Sequence, residues 1–103
     1  MIQAILTVVE KGHAEEVIDA AVQAGSHGGT IINARGSGVH ETATLFGLGI
    51  EPEKELVIIL ADQAKAPQIV ETIYETLELR QPGNGIVFVQ NTARVRGLYQ
   101  PTE

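Results

Sequence analysis

Glu55-Leu56-Val57-Ile58-Ile59-Leu60-Ala61, residues 55–61, holds the longest unbroken apolar run of the chain. A continuous β-rich run of this kind is what a strand buried on both faces looks like. Working outward, Ala66-Pro67 has the form of a helix start, with proline near the first position. Ile69, Val70, Ile73, Tyr74 and Leu77 then give that helix one apolar face. Pro82-Gly83-Asn84-Gly85 is a turn, and residues 86–89 form a last strand. Toward the N-terminus, Gly28 and Gly29 open a strand over residues 30–35. Before it, Ala14, Val17, Ile18, Ala21 and Val22 recur at helical spacing within residues 13–24. Glu15 and Glu16 stand in the first turn, where the helix dipole favours acids, and Gly25 is a C-terminal stop. Residues 2–9 form the first strand, almost continuously apolar, and Gly12 ends it.

The order is strand, helix, strand, strand, helix, strand. Two βαβ-like halves with right-handed crossovers predict an α+β fold, the ferredoxin-like βαββαβ sandwich, with a long loop between strands 2 and 3. Two helices cover one face of such a sheet. Yet Ile2, Ala4, Leu6 and Val8 alternate with Ile5 and Val9 along the first strand, so both faces are apolar. A solvated face would read polar at alternate positions. The bare face is therefore expected to pack on other subunits, with cover by the long loop as the alternative.

The chain has 103 residues, enough for one domain. Residues 1–98 are expected to form it and residues 99–103 a loose tail. There is no cysteine, which excludes disulfides and thiolate chemistry and fits a reducing, cytoplasmic setting. Glu10 interrupts the first apolar stretch early, so neither a signal peptide nor a membrane span is expected. Seven basic against 13 acidic side chains give a net charge of −6, which argues against a nucleic-acid partner. One small phosphorylated ligand, held by backbone amides and a few arginines, remains compatible with that charge.

Residues 36–54 make an unusually long connection, expected to lack secondary structure of its own. His40, Leu45, Phe46, Leu48 and Ile50 lie in it. The apolar members suit an arm that docks on a partner protein, and equally suit packing on a neighbouring subunit. At its start, Arg35-Gly36-Ser37-Gly38 is a glycine corner able to turn backbone amides toward an anion, although such corners are usually only turns. Gly83, Asn84 and Gly85 form a second corner. With Arg94 and Arg96 the two could build one phosphate site, if fold or oligomer brings them together. His13, His27 and His40 have no metal-ligand spacing and read as surface histidines. Glu51, Glu53 and Glu55 read as solvated charge at a loop end. No catalytic arrangement is visible.

Residues 28–38, running from Gly28-Gly29-Thr30 through a strand to Arg35-Gly36-Ser37-Gly38, resemble the PII nitrogen-regulatory proteins at the entry to their T-loop. Gly83-Asn84-Gly85-Ile86-Val87-Phe88-Val89 is similar to the PII B-loop and last strand, and Ala93-Arg94-Val95-Arg96 to the arginine-bearing C-terminal segment. The resemblance spans residues 1–98. It implies a homotrimeric signalling protein, not an enzyme, that binds an adenine nucleotide effector (ATP, ADP or AMP) in clefts between subunits. Thr30 and the strand near Ile59 would line the adenine side. Gly83, Asn84 and Gly85 would meet the phosphates, Gly36, Ser37 and Gly38 would form the loop base, and Arg94 and Arg96 of the next subunit would complete the site. Residues 37–53 would press on a regulated partner, with a membrane transporter as the leading guess.

The chain also departs from that pattern. Asn84 replaces the B-loop aspartate and Ile86 the phosphate-binding lysine. His40 stands where the family has the glutamine that helps hold magnesium and 2-oxoglutarate. Gly97 and Tyr99 fall where it has paired arginines, and the loop lacks the tyrosine that is uridylylated. These departures imply a PII-like variant with altered effector binding. Two rivals share the fold. An acylphosphatase would want an arginine in the first glycine-rich loop, which Gly25-Ser26-His27-Gly28-Gly29 lacks. A trimeric metal-tolerance-like protein is disfavoured by the absence of cysteine and the scattered histidines.

Overall fold

The computed structural model describes residues 1–36 and 52–99 in full, and residues 43–45 and 48–50 at the level of their backbone. The elements run β1 (Ile2–Glu10), α1 (Ala14–Gln23), β2 (Thr30–Arg35), β3 (Ala43–Leu45), β4 (Leu48–Ile50), β5 (Glu53–Asp62), α2 (Ala66–Thr76) and β6 (Gly85–Asn91). Four strands make an antiparallel sheet in the order β2-β5-β1-β6, which is the βαββαβ arrangement. The apolar run at residues 56–61 lies in β5, central in the sheet, as its composition requires.

The long connection expected after β2 is present, and within it β3 and β4 pair as a separate antiparallel hairpin with Ala43 opposite Ile50 and Leu45 opposite Leu48. Thr44, Leu45 and Ile50 are β-capable, but each run is only three residues long and a glycine interrupts the second. Such short runs carry too little periodicity to be read. The strand that follows begins at Glu53 rather than Glu55, since Glu53 pairs with Arg35 and Lys54 with both Glu10 and Ala34.

Both helices pack on one face of the sheet. Ile5, Val9, Val57 and Ile59 from the strands meet Val17, Ala20, Ala21, Ile69 and Ile73 from the helices, all buried. Ala20 takes a buried place on α1, while Val22, expected on the apolar stripe, is 49% exposed. α1 ends as its glycine foretells. Gly25, at φ 112°, donates to the Val22 carbonyl, and Ser26 donates to Ala21. These are the two bonds of a Schellman stop.

The start of α1 uses a residue from another element. No side chain within α1 caps it. Instead, Glu55 of β5 accepts from the backbone amides of Gly12 (2.8 Å) and Ala14 (3.0 Å). The Ala14 and Gly12 amides, in that order, hold its carboxyl below the ordinary glutamate range, against a smaller opposing effect of desolvation. Glu55 is thus a helix cap rather than merely solvated charge.

The other sheet face carries Ile32, Leu56, Val8 and Ile86 in one cross-strand row and Thr30, Ile58, Leu6 and Phe88 in the next. Ile86 is 57% and Phe88 44% exposed. Alternation along the strands placed these residues together, as both-faced hydrophobicity predicts.

Candidate functional site

The sheet has two ends that differ in what the chain does there. At one end β1 and β6 begin their pairing at Val9 and Gly85, and β2 runs out into Gly36. At the other, β1 starts at Ile2 opposite Asp62, the last residue of β5, and β2 starts at Thr30. Seven residue steps of β1, at about 3.3 Å each, separate the two ends by about 23 Å.

The Ile2 end holds a cavity of about 440 Å³. Its apolar wall comes from Ile2, Ile58, Leu60 and Leu98. Its rim comes from residues 25–30 of the α1–β2 connection and from Asp62, Lys65 and Tyr99. That connection is fixed from within, because the Ser26 hydroxyl donates to the Gly28 carbonyl (3.0 Å) and accepts from the Gly28 amide (3.2 Å). Gly29 lies so close to β5 that a Cβ would stand 3.0 Å from Ile59 Cγ1 and 3.1 Å from the Ile58 carbonyl oxygen. A side chain there would need its neighbours on β5 to give by a few tenths of an ångström. The C-terminal segment returns to the same place. Thr92 Oγ1 donates to the Ile2 carbonyl at 2.7 Å, and from there the chain runs on to Leu98 and Tyr99 at the cavity. Tyr99, expected to begin a loose tail, stands edge-on to His27 with ring centroids 6.3 Å apart.

The two charged groups at this rim differ in what they bond. Asp62 accepts from the Ala64 amide at 2.9 Å and lies 3.9 Å from the N-terminal ammonium. Lys65 makes no ion pair among the described residues, which leaves a cation at the cavity for an anionic group. Among the described residues no cluster of His, Cys, Asp and Glu could hold a metal ion.

A family model for nitrogen regulatory protein P-II matches residues 2–100. The chain belongs to the P-II family. P-II proteins are signal transducers of nitrogen regulation and not enzymes. They typically bind adenine nucleotides, are generally trimeric and regulate partner proteins. No curated protein matches the chain. Among the described residues, no helix is long and apolar enough to cross a membrane.

The P-II site residues read from sequence are distributed unevenly over one subunit. Thr30 lines the cavity. Ile59 does not line it, since its side chain is fully buried among the helices, and its neighbours Ile58 and Leu60 do. Arg94 and Arg96 are exposed on the stretch between Thr92 and the cavity. Gly36 and residues 83–85 lie at the opposite end, on the two outer strands, three strand spacings or about 14 Å apart. Asn84 is engaged there, its Nδ2 donating to the carbonyls of Glu78 (2.9 Å) and Leu77 (3.3 Å) at the end of α2. Ser37, Gly38, His40 and Phe46 lie outside the described residues, and for Leu45, Leu48 and Ile50 only the strand backbone is described.

Sequence reasoning missed His27, Lys65, Leu98 and Tyr99. His27 carried a readable signal, standing inside the glycine-rich run 25–29 just before Thr30. The other three are brought in only by the return of the chain after β5 and β6.

Proposed function

We propose that this P-II protein is a trimeric regulator that binds an adenine nucleotide at the cavity beside Thr30 and signals to a partner protein through residues 37–53. The observation that carries the reading is the cavity itself. It joins an apolar wall (Ile58, Leu60, Leu98), a fixed glycine connection before Thr30, and Lys65 at the rim. An apolar slot with a few convergent polar groups is the usual form of a small-ligand site. The base enters against the apolar wall, and the phosphates extend toward cations, of which Lys65 lines the cavity.

The apolar sheet face supports the oligomer. Ile32, Ile86 and Phe88 remain largely exposed in one subunit, and fully burying a side chain of this size contributes about 1.5–3 kcal/mol. Self-association of this face gives the family's trimer and turns the distant glycine corners at Gly36 and at Gly83 and Gly85 of one subunit toward the cavity of another. Residues 1–98 form the signalling domain and work in the cytoplasm. The partner contact comes from His40, Leu45, Phe46, Leu48 and Ile50, and the cytosolic side of a membrane transporter is the kind of partner this arm suits.

Calorimetry and thermal shift with ATP, ADP and AMP test the effector. At least one should bind and raise the melting temperature, because a ligand specific for the folded state stabilises it by mass action. Absence of binding by all three removes the nucleotide reading while leaving family membership in place. Light scattering should give three times the mass of one chain, and a stable monomer at micromolar concentration would remove the trimer.

A further inference from the structure

The mouth of the cavity carries two aromatic rings, His27 and Tyr99, whose only ring partner among the described residues is each other. They stand at 87°, edge to face, so that the contact uses one edge of one ring and one face of the other. Within one subunit both residues are exposed, Tyr99 to 72%. Exposing a tyrosine to this extent leaves a large apolar surface in water next to a cavity that already has apolar walls. The two rings also arrive by different routes. His27 is held at the tip of a short connection, locked by the Ser26 hydroxyl on Gly28 and by the Ser26 amide on Ala21 at 2.9 Å. Tyr99 sits at the end of an arm whose last anchor among the described hydrogen bonds is Thr92 on Ile2. One ring is thus fixed and the other is carried on a segment with few restraints.

We propose that His27 and Tyr99 form a ring clamp that determines ligand specificity at this cavity, Tyr99 stacking face-on against a planar heteroaromatic base while His27 closes on its edge. This rests on the nucleotide reading above and adds to it the residues that select the base. The apolar wall of Ile58, Leu60 and Leu98 takes the opposite side of the base, and Lys65 lies on the same rim for an attached phosphate. A purine offers the larger face, so adenine nucleotides bind better than a pyrimidine nucleotide carrying the same phosphates. Stacking of a base on one aromatic side chain sets the expected size of the effect, a loss of about tenfold in affinity when the ring is removed.

The test uses the full chain. Calorimetry measures ATP, AMP and CTP on the wild type, on Tyr99→Ala and on Tyr99→Phe. Tyr99→Ala should weaken ATP and AMP about tenfold, Tyr99→Phe should keep their affinity, and CTP should bind the wild type more weakly than ATP. The chain has two tyrosines and no tryptophan. In Tyr74→Phe, therefore, the tyrosine emission comes from Tyr99 alone, and it should be quenched on ATP addition with the calorimetric midpoint. If the wild type binds ATP and Tyr99→Ala binds it equally well, the clamp is wrong and the nucleotide reading stands. If Tyr99→Phe is as weak as Tyr99→Ala, the hydroxyl rather than the ring is responsible and the clamp is likewise overturned. If the wild type binds none of the three nucleotides, both readings fall together.

Discussion

Two glycine-bearing corners of this molecule look alike in sequence and differ in what they face within one subunit. The corner at residues 83–85 holds the chain together. Asn84 donates to the carbonyls that end α2, just where Glu78 adopts a left-handed φ of 50°. Gly85 has φ 137° and lies so close to β1 that a Cβ would collide with the Val8 carbonyl oxygen. The corner at residues 25–30 is likewise fixed, but it opens on a cavity and turns His27 and Thr30 toward it. A glycine run therefore identifies a backbone that must bend or come close. Whether it then meets a ligand depends on what the adjacent side chains have left to bond.

Substitutions sharpen this contrast. Gly85→Ala should be the most damaging, since it combines a backbone conformation that alanine resists with a collision against β1. A loss of about 3 kcal/mol or more in chemical denaturation is expected. A loss below about 1 kcal/mol would mean that β6 shifts freely, and the corner would not be the rigid element described. Asn84→Ala should cost about 1 kcal/mol through the two lost bonds at the end of α2. Unchanged stability together with weaker nucleotide binding would instead reassign Asn84 from the helix end to the ligand.

The start of α1 gives a pH-dependent version of the same test. Glu55 has a lowered folded-state pKa, so its contribution to stability is complete above the ordinary value of 4.5 and is lost as the pH falls through the lowered one. Glu55→Gln should therefore lower the melting temperature at neutral pH, and the two melting curves should converge in acid. Parallel curves across the whole range would show that the carboxylate does not cap the helix. At the open corner, His27→Ala should change stability by less than about 0.5 kcal/mol, as exposed side chains usually do. A larger loss would make His27 structural and weaken the contrast.

Most of the fold was readable because its signals are local. The run 56–60 is apolar enough to be only a central strand, and Ile69, Ile73 and Leu77 repeat at helical spacing along one buried face. The β3–β4 hairpin was not readable, since three-residue strands carry almost no pattern. Thr30, which the resemblance to the PII proteins placed on the adenine side, lines the cavity. Lys65, Leu98 and Tyr99 were not legible, because they come from segments far apart in sequence that meet only where the start of β1 lies beside the end of β5. The bonds of Asn84 to the helix-end carbonyls were not legible either, because they depend on the left-handed turn at Glu78, a conformation that glutamate does not advertise.

The central claim is that the cavity beside residues 28–30 is where the effector's base binds. Its most direct test is an amide NMR titration of the assigned protein with ATP and AMP. The account predicts that the largest shift changes fall on Gly28, Gly29, Thr30 and Leu98, saturating together. Binding that shifts residues 83–85 and Arg94 while leaving Gly28, Gly29 and Thr30 unchanged would contradict it.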